Sequence, residues 1–181
     1  RSGMRPAGGS IDLITTAYDP GDLTASGVLT IHGVSSDIIE LSQYSQTMPF
    51  YIAGEDTFVL GTANNDQIID LGGSNTLIGD AGDDVINGGS GDDVLRGGEG
   101  TNTLLGGLGV DTFVFTDLLS FATIEDFDPS VETIQIVGLQ LQNSSFRLND
   151  LGHATQILVN DTPFIFLEGV SLHNFDDWFL L

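Results

Sequence analysis

The chain has 181 residues, of which 40% are hydrophobic, so it can bury a core and is not disordered throughout. Four Lys plus Arg against 26 Asp plus Glu give a net charge of −22, which repels nucleic acid and anionic membranes and attracts cations. The absence of cysteine excludes disulfides and thiolate metal sites, and no apolar stretch reaches the roughly 18 residues of a membrane-spanning helix. We therefore expect no nucleic-acid partner and no stable membrane insertion.

The N-terminal third carries little chemical information. Residues 1–10 show no basic-then-apolar signal peptide and are interpreted as a tag or disordered leader. Residues 11–60 carry short β-prone runs between Pro, Gly, Asp and Ser, which predicts a β-rich flank. Its expected strands cover residues 27–31, 37–41 and 50–53.

Residues 61–114 divide without insertion into six nonapeptides: GTANNDQII, DLGGSNTLI, GDAGDDVIN, GGSGDDVLR, GGEGTNTLL and GGLGVDTFV. Position 8 of each is one large apolar residue: Ile68, Leu77, Ile86, Leu95, Leu104 and Phe113. This spacing predicts very short strands whose central side chain points inward, with the other residues in turns. Two units then complete one coil, so the array predicts three coils around a thin core in an all-β fold.

Position 6 of each unit is a short oxygen donor: Asp66, Asn75, Asp84, Asp93, Asn102 and Asp111. Position 4 is glycine except for Asn64 in the first unit, and glycine turns let carbonyl oxygens converge on an ion. Calcium takes six to eight oxygens and mixes carboxylates with carbonyls. The candidate ligands are the position-6 residues together with the backbone at Gly82, Gly89, Gly91, Gly98, Gly100, Gly107 and Gly109.

The coil geometry stacks position-6 residues of every second unit along one edge. About four calcium ions are expected between the stacked pairs Asp66/Asp84, Asp84/Asn102, Asn75/Asp93 and Asp93/Asp111. The Asp93/Asp111 pair carries two charges between complete Gly-Gly turns, so we expect it to bind best. Thr62, Asp70 and Leu71 depart from the pattern and weaken the case for sites in the opening coil.

Two alternatives concern the array itself. Gly/Asp-rich sequence is often a flexible acidic linker, but six units in register with confined apolar positions favour a folded metal-binding array. Upstream, residues 56–59 repeat the tetrapeptide of residues 111–114, one residue out of register with the array. They form either a degenerate first coil or a capping strand.

The nonapeptides resemble the repeat G-G-x-G-x-D-x-U-x of the RTX region of type I secreted bacterial proteins. The resemblance runs from about residue 54 to the end of the chain and includes the D-T-F-V-F stretch at Asp111 to Phe115, the D-F-D-P element that begins at Asp126 and the following strand at 133–137. It implies a parallel β-roll that binds calcium. It also implies an uncleaved C-terminal export signal, read by an ABC transporter with its adaptor and outer-membrane channel, and a place outside the cell or on its surface.

Residues 115–181 are predicted to form a β-rich cap with strands at 133–137, 156–159 and 163–167, followed by a helix or strand at 170–181. The acidic and then apolar tail, residues 176–181, is either the export signal, a plain cap, or both. Asp126 and Asp128 bind a further ion or hold a turn before Pro129, and the turn is favoured. The bonds Asp19–Pro20 and Asp128–Pro129 are weak candidates for self-cleavage.

No catalytic motif is evident: the three histidines do not form H-E-x-x-H, and there is no G-x-S-x-G, no P-loop and no lysine. The favoured hypothesis is a non-catalytic module of a larger secreted protein that is unfolded without calcium and folds on binding it. The alternative is a calcium-dependent polysaccharide-binding or adhesive module. A catalytic fragment is the weakest interpretation.

Overall fold

The computed structural model describes residues 12–16, 28–32, 38–40, 49–53, 56–117, 120–137 and 144–171. Up to Pro49 it describes the backbone alone. The predicted leader, the Asp19–Pro20 bond, His173 and the tail from residue 172 onward lie outside the described residues.

All regular structure in the described residues is β-strand, arranged in two sheets. The ten-stranded sheet contains β1 (Asp12–Thr16), β2 (Val28–His32), β4 (Pro49–Ala53), β6 (Gln67–Asp70), β8 (Val85–Asn87), β10 (Thr101–Leu105), β12 (Phe121–Ile124), β16 (Thr162–Glu168), β15 (Ala154–Val159) and β14 (Phe146–Asp150) in that order. The six-stranded sheet contains β13 (Thr133–Ile136), β11 (Thr112–Phe115), β9 (Val94–Glu99), β7 (Thr76–Ala81), β5 (Phe58–Leu60) and β3 (Ile38–Glu40).

Successive nonapeptides alternate between the two sheets, and strands of every second unit pair in parallel. Ile68 lies opposite Ile86 in the larger sheet, and Leu77 lies opposite Leu95 in the smaller one. The coil therefore repeats every two units, as predicted. The all-β parallel roll is confirmed, and its coils continue past both ends of the array into a β-solenoid.

The core runs between the sheets as a single row of apolar side chains. All six position-8 residues are fully buried and belong to one cluster. Since each unit contributes one such side chain, the row is thin, and most remaining residues of each unit are on turns or outer faces. Stability gained from apolar burial is correspondingly small for this length of chain.

The coils on the N-terminal side lack the glycine pattern but keep the register. Phe50 lies opposite Ile68, and Val59 lies opposite Leu77, so both stand at position 8 and are fully buried. Residues 56–59 are therefore a degenerate coil, with Thr57 at position 6 and the partly exposed Phe58 at position 7. The predicted strands at 27–31, 37–41 and 50–53 appear as β2, β3 and β4.

On the C-terminal side, β12 and β13 add one further coil, with Ile124 opposite Leu104 and Ile134 opposite Phe113. The antiparallel meander β14–β15–β16 then pairs with β12 through β16 and buries Ile165 and Leu167. The predicted strands at 133–137, 156–159 and 163–167 appear as β13, β15 and β16, whereas β1, β12 and β14 were not predicted. Among the described residues, no helix is long and apolar enough to cross a membrane.

Candidate metal centre

The position-6 side chains form a hydrogen-bonded ladder along each edge of the roll. In each step, Oδ1 of one position-6 residue accepts the main-chain N–H of the position-6 residue in the preceding coil. The donor–acceptor distances are 2.8 Å for Asp66 to Asp84, 2.9 Å for Asp84 to Asn102, 2.7 Å for Asn75 to Asp93 and 2.8 Å for Asp93 to Asp111. The stacking predicted from the two-unit coil is therefore present in all four pairs.

The aspartates at position 6 differ in the hydrogen bonding of their second carboxylate oxygen, Oδ2. The Oδ2 atoms of Asp84, Asp93 and Asp111 are buried and accept no hydrogen bond from an N–H or hydroxyl group in the described part of the chain, although the Glu132 carboxyl interacts with that of Asp111. The three residues are 0–1% exposed. A buried carboxylate oxygen without a donor is costly, so three in register point to a ligand that supplies positive charge.

Each of these oxygens faces a small space beside the position-1 glycine of its own unit. A methyl group built on Gly88 would lie 2.8 Å from Oδ2 of Asp93 and 2.6 Å from the carbonyl oxygen of Gly106, one coil further on. A methyl group on Gly79 would lie 2.6 Å from the carbonyl oxygen of Gly97 and would overlap Oδ2 of Asp84. We call the place beside position 1 that the position-6 side chain of each unit faces a cradle, and name it after that position-6 residue.

The donor chemistry of the cradles fits calcium. In the Asp84 and Asp93 cradles a carboxylate oxygen and a main-chain carbonyl oxygen converge in the same space, and hard oxygen donors of both kinds are what calcium prefers. Within the described residues no three acidic or histidine side chains come together that could hold a metal ion. An ion held here would need backbone carbonyls as well as side-chain oxygens.

The glycines at positions 2 and 4 are required by backbone conformation and by space. Gly91 has a φ of 126°, and a methyl group there would overlap the carbonyl oxygen of Gly73. The same left-handed conformation occurs at the other candidate backbone positions, namely Gly82, Gly89, Gly98, Gly100, Gly107 and Gly109. These turns bring successive coils into close contact along the ligand-bearing edges.

Burial raises the proton affinity of the ladder carboxyls. It raises the pKa of Asp93 to about 7 and that of Asp84 to about 6, with neighbouring carboxylates adding to the effect. The pKa of Asp66, Asp70 and Asp111 is also raised, chiefly by burial. A cation binding here competes with protons.

Position 5 carries a second ladder that runs in the opposite direction. Oδ1 of Asp83 accepts the N–H of Thr101 at 2.8 Å, and Oδ1 of Asp92 accepts the N–H of Val110 at 2.9 Å. These carboxylates are on the outer side of the edge and link consecutive coils. In the acidic pair Asp83–Asp84, the two members therefore have different surroundings.

Sequence reasoning missed Glu132 as a candidate site residue. Thr133 donates its N–H to the carbonyl oxygen of Asp111 at 2.9 Å, so Glu132 stands at position 6 of the next coil. Glu132 is 6% exposed, and burial, reinforced by Asp111 and Asp126, raises its pKa to about 7. Glu132 follows Asp111 by 21 residues, whereas position-6 residues of neighbouring coils in the array are 18 residues apart. Glu132 therefore does not fit the nonapeptide spacing.

Asp126 and Asp128 hold the end of the roll. The two carboxylate oxygens of Asp126 accept the N–H groups of Gly106 and Gly107, each at 2.9 Å. Oδ1 of Asp128 accepts the N–H and the hydroxyl of Ser130, and its carbonyl accepts the N–H of Glu132. Asp128 therefore holds a turn, but the turn covers residues 129–131 and does not precede Pro129, and Asp126 takes no part in it.

Comparison with known proteins identifies the array. A family model for the RTX calcium-binding nonapeptide repeat, four copies long, matches residues 60–95 and again residues 79–113. No curated protein matches the chain significantly. The matched segment coincides with the parallel coils that carry the position-6 ladder and the cradles. Residues 60–113 are therefore an RTX calcium-binding nonapeptide repeat domain.

Proposed function

We propose that this domain binds calcium in the cradles and that binding drives the folding of the roll. The observation that carries the proposal is the set of three buried, unpartnered Oδ2 atoms on Asp84, Asp93 and Asp111. The proposed ligands are the position-6 side chains and the backbone at positions 2 and 4, as predicted from the sequence. Glu132 joins this set at the end of the array, beside Asp111.

Bound calcium supplies the positive charge that offsets the repulsion between stacked carboxylates. Without that charge, the row of one buried apolar residue per nonapeptide must offset a conformational entropy of about 1–2 kcal/mol per residue. The apolar burial in this thin core does not offset that entropy, so the array stays unfolded without calcium. The ligand set exists only in the coiled chain, so the free energy of binding becomes free energy of folding.

Small-angle scattering of the full chain tests this proposal. A folded chain of this length has a radius of gyration near 16 Å, against roughly 45 Å when unfolded, by the usual scaling relations. We expect the radius to fall markedly when calcium replaces chelator. An equally compact chain in chelator would contradict calcium-driven folding.

We further propose that the module belongs to a protein exported by a type I secretion machine and folds outside the cell. An unfolded acidic chain suits passage through a narrow channel, and folding at the exit opposes backsliding. The proposed signal includes residues 172–181. Coexpression with a type I transporter tests it, since deletion of these residues should abolish export while Asp93→Asn should leave export intact. Undiminished export of the truncated chain would contradict the assignment.

A further inference from the structure

We infer that the opening coil of the array, residues 61–78, takes no calcium because Thr62 and Asp70 fill its two cradles with hydrogen bonds. The inference rests on the proposed calcium binding at the other cradles and assigns where along the array it occurs. At the expected sites Asp66/Asp84 and Asn75/Asp93, hydrogen bonds within the protein therefore take the place of a calcium ion.

The Asp66 cradle is closed by Thr62. The N–H of Thr62 donates to Oδ2 of Asp66 at 2.6 Å, and the Thr62 hydroxyl donates to Oδ1 at 3.0 Å. Both carboxylate oxygens of Asp66 therefore have donors, in contrast to Asp84, which is its neighbour in the ladder.

Thr62 differs in backbone conformation from position 2 of the later units. Position 2 of the third to sixth units is in the left-handed region, with φ values of 83–99° at Asp80, Gly89, Gly98 and Gly107. Thr62 is β-branched, which disfavours positive φ, and it does not adopt that conformation. Its N–H consequently faces the carboxylate of its own unit.

The Asn75 cradle is closed by Asp70, which stands at position 1 where the other units have glycine. The Asn75 side-chain amide donates to Oδ2 of Asp70, and the N–H of Gly72 donates to Oδ1 at 3.2 Å. Asp70 is 3% exposed, so its side chain occupies the inner side of the edge. Oδ1 of Asn75 accepts the N–H and the hydroxyl of Thr57, each at 2.7 Å.

The two departures from the repeat thus have the same effect by different chemistry. In each, a residue that the consensus lacks supplies a partner for the position-6 side chain from within the same unit. Thr62 does so through its N–H and hydroxyl, and Asp70 through its carboxylate. Within the described residues, the unpartnered carboxylate oxygens of the array begin at Asp84, in the second coil. The wild-type chain is accordingly expected to bind three ions, one for each unpartnered Oδ2.

Counting bound calcium per full chain by native mass spectrometry and equilibrium dialysis tests the inference. Thr62→Gly should add one ion, because it removes the hydroxyl donor and lets position 2 adopt the left-handed conformation of the later units, in which the N–H no longer faces Oδ2 of Asp66. The triple variant Asp70→Gly, Leu71→Gly and Asn75→Asp gives the second unit the fourth unit's residues at positions 1, 2 and 6 and should add one ion as well. Unchanged counts in both folded variants would overturn the inference.

Asp70→Asn is the matched control, since it keeps one of the two oxygen acceptors at this position and should leave the count unchanged and the affinity little altered. Loss of an ion, or a tenfold weaker affinity, would make Asp70 a ligand and overturn the inference. Asp93→Asn should lower the count of bound calcium by one ion. A wild-type chain that binds no calcium would instead refute the proposed function, so the two failures are distinguishable.

Discussion

The N–H of Asp93 donates to Oδ1 of Asp111 across 2.8 Å, while Oδ2 of each of these two aspartates is buried without a hydrogen-bond partner in the described chain. One oxygen of each carboxylate thus holds successive coils together, and the other faces a cradle. This division allows a single residue per nonapeptide to serve both the backbone ladder and the ion. It also predicts how substitutions at this edge will act.

Replacing Asp93 with Asn should weaken calcium binding roughly tenfold or more, which corresponds to about 1.4 kcal/mol or more. Asn keeps an oxygen for the N–H of Asn75 but turns the cradle-facing atom into a donor that repels a cation. Calorimetric titration of the full chain measures the change.

Asp92→Asn is the control, because it removes the same charge from the adjacent, outward-facing residue and retains an oxygen for the N–H of Val110. We expect it to change affinity far less than Asp93→Asn. Equal effects of the two variants would mean that overall charge, and not the cradle, governs binding.

Gly91→Ala should destabilise the calcium-loaded roll by more than Gly152→Ala. Both glycines have positive φ, 126° and 85°, so each alanine costs roughly 1–2 kcal/mol in backbone strain. Only at Gly91 does the added methyl group overlap a neighbouring carbonyl, which adds about 1–3 kcal/mol. Denaturant unfolding in saturating calcium measures both, and a smaller loss at Gly91 would contradict the packing of the coils.

Leu95→Ala should cost about 2–5 kcal/mol in the calcium-loaded state, because Leu95 is fully buried in the row of position-8 side chains. Leu108→Ala removes the same group from a side chain that is 74% exposed and should cost no more than about 0.5 kcal/mol. Thermal unfolding in calcium distinguishes them. Similar losses would show that position 8 is not the core of the roll.

The calcium-free chain should gain β-structure as the pH falls from 8 to 5. The pKa of Asp93 and that of Glu132 are raised by burial to about 7, and that of Asp84 to about 6, against about 4 in an unfolded chain. The folded state therefore binds protons more tightly, and its stability falls as the pH rises from about 4 through 7.

Circular dichroism in chelator across this pH range tests the prediction. Asp93→Asn should flatten the dependence, since it removes one of the strongly shifted carboxyls. A calcium-free chain that gains β-structure on raising the pH would have the opposite sign and would contradict the burial of these groups.

The roll was predictable because its sequence constraint is periodic. Each unit repeats one buried apolar residue, one oxygen donor and glycines at turns with positive φ, so the two-unit coil follows from the spacing. The N-terminal coils carry only part of that constraint. Phe50 and Val59 stand 18 residues before Ile68 and Leu77, and that apolar spacing alone was the available signal.

The ends of the array depend on tertiary contacts that the repeat pattern does not encode. Glu132 reaches position 6 after a longer connection, and strand pairing alone puts it beside Asp111. At the other end, Thr62 and Asp70 depart from the repeat consensus. Their hydrogen bonds show that they are partners of Asp66 and Asn75. Sequence reasoning identified these positions as exceptional without giving their chemistry.

Far-UV circular dichroism of the full chain in chelator, in calcium and in an equal concentration of magnesium tests the central claim most directly. The cradles offer many oxygens at an irregular edge, which suits calcium better than the strict octahedral demand of magnesium. We predict a saturable rise in β-signal with calcium, little change with magnesium and reversal by chelator. A full β-spectrum in chelator, unchanged by calcium, would contradict the account.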